Sequence, residues 1–157
     1  VATRMAKLER GEADATFLAA AGLDRLGEGS IGVRLEPDEW LPAPAQAAIG
    51  LECRTDDARV RDLVQAIDHE ASHAEITAER RLLEGLGGSC SSPIAALSQS
   101  CAGRISLQAA IYSPDGAIRI AGDAEFAAGD MQTPADLARN LLERAPQAVA
   151  VHFGQPA

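Results

Sequence analysis

From about residue 94 the chain changes texture, and that change limits what it can fold into. Residues 105–112 alternate apolar and polar side chains, Ser113-Pro114-Asp115-Gly116 supplies turn chemistry, and an extended run resumes over 117–126. This pattern predicts an antiparallel hairpin. Helical periodicity flanks it. Ala74, Ala78, Leu82 and Leu86 form an i, i+4 stripe over 70–86, which Gly87-Gly88 would stop. Downstream, Thr133 as cap and Pro134 at the first helical position open a helix whose buried stripe is Leu137, Leu141 and Leu142. With short strands over 94–97 and 148–153, the order from residue 70 is helix, strand, hairpin, helix, strand. That order predicts a compact α+β unit, an antiparallel sheet with helices.

The first 69 residues are less regular. A helix is expected over 3–10, ended by Gly11, then a brief strand over 15–18 and a short helix bounded by turns at Gly22 and Gly27. Residues 27–46 hold three prolines and the sole Trp and form a connector, with a boundary within it. A buried strand is expected over 48–53. Thr55-Asp56-Asp57 then caps a helix with Val60, Leu63, Val64 and Ile67 on one face.

Composition narrows the function classes. The 157 residues include 32 Ala against 34 Leu, Ile, Val and Phe together, so much of the nominal hydrophobicity lies in small side chains and the core is thin for the length. The formal charge of −9 is spread as −3, −4 and −2 over residues 1–45, 46–100 and 101–157. Such a surface argues against nucleic-acid or anionic-membrane partners. No run approaches the roughly 20 apolar residues of a membrane helix, and no leader opens the chain, so a soluble protein is expected. Cys53, Cys90 and Cys101 are an odd number at unmatched spacings, which favours a reducing, cytoplasmic setting over a disulfide framework. A start at Val1 rather than Met suggests a processed, truncated or cleaved end.

Three constellations carry candidate chemistry. His69-Glu70-Ala71-Ser72-His73 matches the zinc-peptidase helix pattern, with two ligands one turn apart and a glutamate base. The extended pattern fails, because Ile76 and Glu79 stand where a glycine and a histidine are needed, and His152 is the one remaining histidine. The competing reading is a polar helix start, and no metal site is expected. Second, Gly87-Gly88-Ser89-Cys90-Ser91-Ser92-Pro93 delivers a thiol into a glycine- and serine-rich loop. It suits either a covalent attachment point or a small buried residue. Third, Arg4, Arg25 and Arg80 lie in or beside Gly- and Ala-rich stretches. They suit a polycarboxylate if they converge, and solvated surface positions if they do not.

Several blocks taken together resemble the porphobilinogen deaminase (hydroxymethylbilane synthase) family. They are Glu9-Arg10-Gly11-Glu12-Ala13-Asp14-Ala15, Leu18-Ala19-Ala20-Ala21-Gly22-Leu23-Asp24-Arg25-Leu26-Gly27, the stretch 41–54 containing Pro44-Ala45-Gln46-Ala47-Ala48-Ile49-Gly50, then Thr77-Ala78-Glu79-Arg80 and Gly88-Ser89-Cys90-Ser91-Ser92-Pro93-Ile94. They occur in that family's order and approximate spacing. Ser89 and Ala47 stand where many members have glycine.

The resemblance implies an enzyme that joins four porphobilinogen molecules into hydroxymethylbilane with loss of ammonia, in tetrapyrrole (haem) biosynthesis. It implies a dipyrromethane cofactor, thioether-linked to Cys90 and held with Arg4, Arg25, Ser89 and Gly88. Arg25, Arg80, Gln46, Ala19 and Gly22 would meet substrate and oligopyrrole intermediates. The family's catalytic aspartate precedes the block at which this chain begins, so no catalytic residue is expected here. Members are about twice this length, and the full enzyme is expected to be monomeric. On that comparison, residues 1–40 are the latter part of a second periplasmic-binding-protein-like α/β domain. Residues 41–69 are a connector and a strand-helix returning to the first such domain, and 70–157 are the complete α+β C-terminal domain. The chain would be the C-terminal half of the enzyme, inactive without its N-terminal half. The runner-up is a non-catalytic α+β carrier or binding module.

Overall fold

In the computed structural model, residues 1–89 and 91–154 are described. The chain divides into two compact units, one over Val1–Glu36 and a second beginning at Pro37.

The first unit holds two helices, α1 (Ala2–Glu9) and α2 (Ala20–Leu26). Arg10 follows α1, and Gly11 then turns the chain at φ 69°. Gly27 ends α2 in the left-handed conformation, with its N–H on the carbonyls of Leu23 and Asp24. Gly22 lies inside α2 rather than at a boundary. Residues 15–18 form no strand, and Leu23 is the sole buried apolar residue of this unit among those described.

The second unit opens with the connector and α3 (Ala58–Gln65), whose N-cap Asp57 accepts the Val60 N–H at 3.1 Å. The expected strand over 48–53 is absent: this stretch is irregular and exposed, with no ladder partner among the described residues. Ile49 is 89% exposed, and Leu63 and Ile67 also lie open to solvent.

From residue 70 the α+β order holds. α4 (Glu70–Gly85) leads to β1 (Ile94–Cys101), β2 (Arg104–Tyr112), β3 (Arg119–Ala127), α5 (Gln132–Arg144) and the short α6 (Gln147–Ala150). The strands form one antiparallel sheet in the order β1-β2-β3, with Leu97 opposite Gln108 and Gln108 opposite Asp123. Alternation sends Ile105, Leu107, Ala109 and Ile111 to the face covered by α4 and α5. There they meet Ala78, Leu82, Leu86, Leu137, Ala138 and Leu141. The helices approach closely because Gly85 faces Ala138: a Cβ at Gly85 would lie 2.9 Å from the alanine's.

Two local details differ from the sequence pattern. The N–H groups of Ala117 and Ile118 bond the Asp115 carboxylate and the Ser113 hydroxyl, so the turn takes these residues and β3 begins at Arg119. At α5 the N-cap is Met131, not Thr133, and the capping side chain is that of Asp130 just before it. Its carboxylate accepts the N–H groups of Gln132 and Thr133 and the Thr133 hydroxyl, and Pro134 falls in the third helical position.

The expected closing strand over 148–153 is α6 and a turn. In a strand Val149, Val151 and Phe153 would share a face. Instead Val149 and Phe153 are buried while Val151 is 63% exposed, the i, i+4 signature of helix, and the Val149 N–H bonds Pro146.

Leu82 is fully buried at the centre of this core. Leu82→Ala is expected to cost about 2–5 kcal/mol through lost transfer energy and a residual cavity. A fall in the urea midpoint with unchanged slope would register it.

Candidate functional site

The residues singled out from sequence fall in both units. In the first, Arg4 on α1 donates to the carbonyl of Phe17, tying the helix to the segment that leads into α2. Arg25 is exposed near the end of α2. Its neighbour Asp24 is already neutralised by Arg34, whose Nη2 lies 2.9 and 3.1 Å from the two carboxylate oxygens. Arg25 therefore holds no acidic partner among the described residues. Ala19 precedes α2 as its N-cap, and Gly22 lies in its first turn, where an added Cβ would meet the Ala19 Cβ at 3.9 Å.

In the second unit, Arg80 is exposed on α4, also without an acidic partner among the described residues. The residue before it was missed from sequence. Glu79 is only 7% exposed, and its carboxylate spans two segments: Oε2 accepts the Ala45 N–H at 2.6 Å and Oε1 the Ser98 N–H at 2.8 Å. One turn earlier, Glu75 accepts the N–H and the hydroxyl of Ser100, both at 2.8 Å. β1 is an edge strand. Its outward N–H groups at Ala96, Ser98 and Ser100 are taken by the Pro42 carbonyl, Glu79 and Glu75. The signal was present in the sequence, because Glu79 precedes Leu82 by three residues and sits on the face a buried stripe would use.

Glu79 ties the segments that carry two of the expected residues. The turn carrying Gln46 is hydrogen-bonded at Ala45 to the residue before Arg80. Ala45 and Ala47 stand at φ 57° and 63°, so the position where the family resemblance led one to expect glycine has the backbone that favours it.

Cys90 lies outside the described residues. The loop around it is defined by its neighbours. Gly87 turns α4 at φ 60°, and a Cβ there would fall 2.3 Å from the Gly154 carbonyl oxygen. A Cβ on Gly88 would clash with Ile94 and Leu83. Ser92 accepts the Ser89 N–H at 2.9 Å and donates its own N–H back to the Ser89 carbonyl, while the Ser89 and Ser91 hydroxyls lie 3.0 Å apart. The loop is thus closed on itself by serine chemistry, with Ser89 and Ser91 exposed. Cys53 and Cys101 are free and exposed.

The histidine pair has local structural work. His69 is the N-cap of α4, its Nδ1 accepting the Ser72 N–H at 3.3 Å, and His73 Nδ1 lies 2.9 Å from Asp68. The described residues bring no three His, Cys, Asp or Glu side chains into a metal-binding group.

Comparisons with known proteins agree across the chain. Residues 1–62 match the family model "Porphobilinogen deaminase, dipyromethane cofactor binding domain", and residues 73–146 match "Porphobilinogen deaminase, C-terminal domain". The porphobilinogen deaminase of Sphingopyxis alaskensis is 49% identical over 150 residues, which is 95% of this chain and 47% of the relative. That of Paracoccus denitrificans is 47% identical over 148 residues, 93% of this chain and 47% of the relative. The chain spans about half the length of the curated relatives it matches.

Burial, and to a lesser extent Glu75, pushes the Glu79 carboxyl above the ordinary glutamate value, against the two backbone N–H groups that favour its charge. The folded chain therefore holds this proton more tightly than the unfolded chain. Stability should fall as pH rises from the ordinary glutamate value through the raised one. Glu79→Gln should abolish that fall. It should also cost about 1–3 kcal/mol, since an amide NH2 then faces a buried N–H. Urea unfolding across this pH range measures both.

Proposed function

Since the chain belongs to the porphobilinogen deaminase family, we propose that it is the C-terminal part of an enzyme that polymerises porphobilinogen to hydroxymethylbilane, releasing ammonia at each addition. In this reading residues 1–40 complete a second α/β domain, 41–69 return to a first one, and 70–157 form the α+β domain carrying the attachment cysteine.

The residues fit a dipyrromethane. Its acetate and propionate groups call for guanidinium forks, and the observation that carries the reading is that Arg25 and Arg80 are exposed and hold no carboxylate of their own among the described residues. When bound, the cofactor supplies the pyrrole nucleus on which the chain grows. Cys90 would hold it through a thioether, on a loop whose Gly87 and Gly88 leave no room for side chains. Ser89, its neighbour in sequence, offers an exposed hydroxyl. Arg4 and Arg25 in the first unit, and Arg80 and Gln46 in the second, would bind and orient carboxylates of cofactor and substrate, while the backbone at Ala19 and Gly22 permits close approach. The carboxylate that manages protons at the reacting centre is assigned to the half of the enzyme not spanned here.

Intact mass of the chain isolated with its N-terminal half should exceed the sequence mass by one dipyrromethane, and Cys90→Ala should lose that increment. The chain alone should consume no porphobilinogen, and adding the N-terminal half should restore consumption. Unmodified protein that nonetheless binds pyrroles would favour a carrier or binding module instead.

Arg25→Leu in the reconstituted enzyme should lower kcat/KM by about tenfold or more, since a charge-assisted hydrogen bond is worth roughly 1.5–3 kcal/mol, and should leave the thermal midpoint nearly unchanged. Steady-state kinetics beside a melting curve separates the two.

A further inference from the structure

Among the described residues of the second unit, Ala45, Ala47 and Ala102 are the non-glycine residues with positive φ, and two of the three lie in residues 43–48. Two overlapping turns occupy that segment. Pro44 and Ala45 are the central residues of the first, closed by the Gln46 N–H on the Ala43 carbonyl at 3.1 Å. Gln46 and Ala47 are central in the next, closed by the Ala48 N–H on the Ala45 carbonyl at 3.3 Å. Each has an alanine with positive φ at its third position, 57° at Ala45 and 63° at Ala47. Type II turns put glycine there, because a Cβ crowds the backbone.

Two alanines persist in that region only where the surroundings over-determine the backbone. Here the surroundings are specific. Glu79 grips the Ala45 N–H with one oxygen and the Ser98 N–H with the other, and the Pro42 carbonyl accepts the Ala96 N–H at 2.9 Å just before the turn. A buried carboxylate on a helix stripe is costly, and this one is satisfied by backbone N–H groups rather than by a cation. Arg80, the next residue, is therefore not consumed in neutralising it. Gln46, at the tip of the second turn, has its side chain exposed.

We propose that Glu79 is a positioning residue: its two oxygens clamp the strained double turn to α4 and β1, so that Gln46 and Arg80, each adjacent in sequence to the clamp, are presented together to an anionic pyrrole side chain. The inference rests on the cleft role of Gln46 and Arg80 proposed above. Glu75 provides an internal control. It bonds the same edge strand from the same helix, at Ser100, and makes no hydrogen bond to the turn.

The test uses the complete enzyme, this chain together with the half its relatives carry. Glu79→Gln should keep the circular dichroism spectrum and raise KM for porphobilinogen about tenfold with kcat changed less than about twofold, the pattern of lost positioning for binding. Glu75→Gln should change neither constant. In a Gln46→Ala background, Glu79→Gln should add less than about twofold in KM, because the clamp acts through the turn. Equal losses from both glutamate variants, or a full additional tenfold in that background, would overturn the proposal.

Glu79→Asp guards against a glutamine variant that does not fold. It keeps the charge with a shorter reach, so KM should rise by an intermediate factor, and an unchanged KM would count against the clamp. Hydrogen exchange separates the two readings. If amide protection at Ala45 and Ala48 is the same in wild type and Glu79→Asp, the clamp is wrong whatever the activity. If protection drops as expected but the wild-type complete enzyme consumes no porphobilinogen, the functional reading fails and the clamp stands.

Discussion

Burial of one face of α4 against the sheet is the constraint on which the rest of the second unit depends. Leu82 and Leu86 are fully buried, opposite Leu107 and Ile111, which are fully buried as well. Each such side chain contributes roughly 1.5–3 kcal/mol on leaving water. Once this face is seated, the rotation of α4 about its axis is fixed. Glu75 and Glu79 then fall along the open edge of β1, and Arg80 falls on the solvent side. The same seating sets where α4 ends, and so where Gly87 and Gly88 turn the chain into the serine loop. An apolar contact set thereby determines the direction of the polar groups around it.

The sequence was legible where periodicity and turn chemistry agree. The stripe from Ala74 to Leu86, the hairpin around Ser113-Pro114-Asp115-Gly116 and the stripe of α5 needed only spacing, and each forms within two or three residues of its expected bounds. It was less legible where short apolar runs fit either period. Residues 148–153 alternate as a strand would, yet the core accepts Val149 and Phe153 four apart, and the helix prevails. Competition for a cap was also hidden: Thr133 has the right chemistry, but Asp130 reaches both free N–H groups first. The candidate site was readable as residue types in blocks. The buried position of Glu79, and the tie it makes to a turn 34 residues away, depend on tertiary contacts that no local window carries.

Where the chain fails to bury itself is equally informative. Alanine and four larger apolar residue types occur in nearly equal numbers, and the structure sorts them unevenly. Of the core residues, all but Leu23 lie beyond residue 77, whereas Ile49, Leu51, Leu63 and Ile67 remain exposed. α3 has the amphipathic pattern of a packed helix and no buried residue among its eight. A helix of this length is marginal alone and draws its stability from packing on an apolar face. The relatives are about twice as long as the stretch matched here.

Net charge is a poor guide to what this surface binds. At −9 the chain should repel a polycarboxylate, and at distances beyond a Debye length of about 8–10 Å it would do so only weakly. What matters at contact is which charges are already spoken for. Asp24 is paired with Arg34, and Glu79 and Glu75 are satisfied by backbone and hydroxyl donors of β1 and the 43–48 turn. These acidic groups lie in or beside the blocks that carry the family resemblance, and each has partners other than Arg25 and Arg80. These three carboxylates are thus engaged away from the two guanidiniums proposed to meet the ligand. An acidic protein can hold a multiply anionic ligand because its own carboxylates are locally engaged elsewhere.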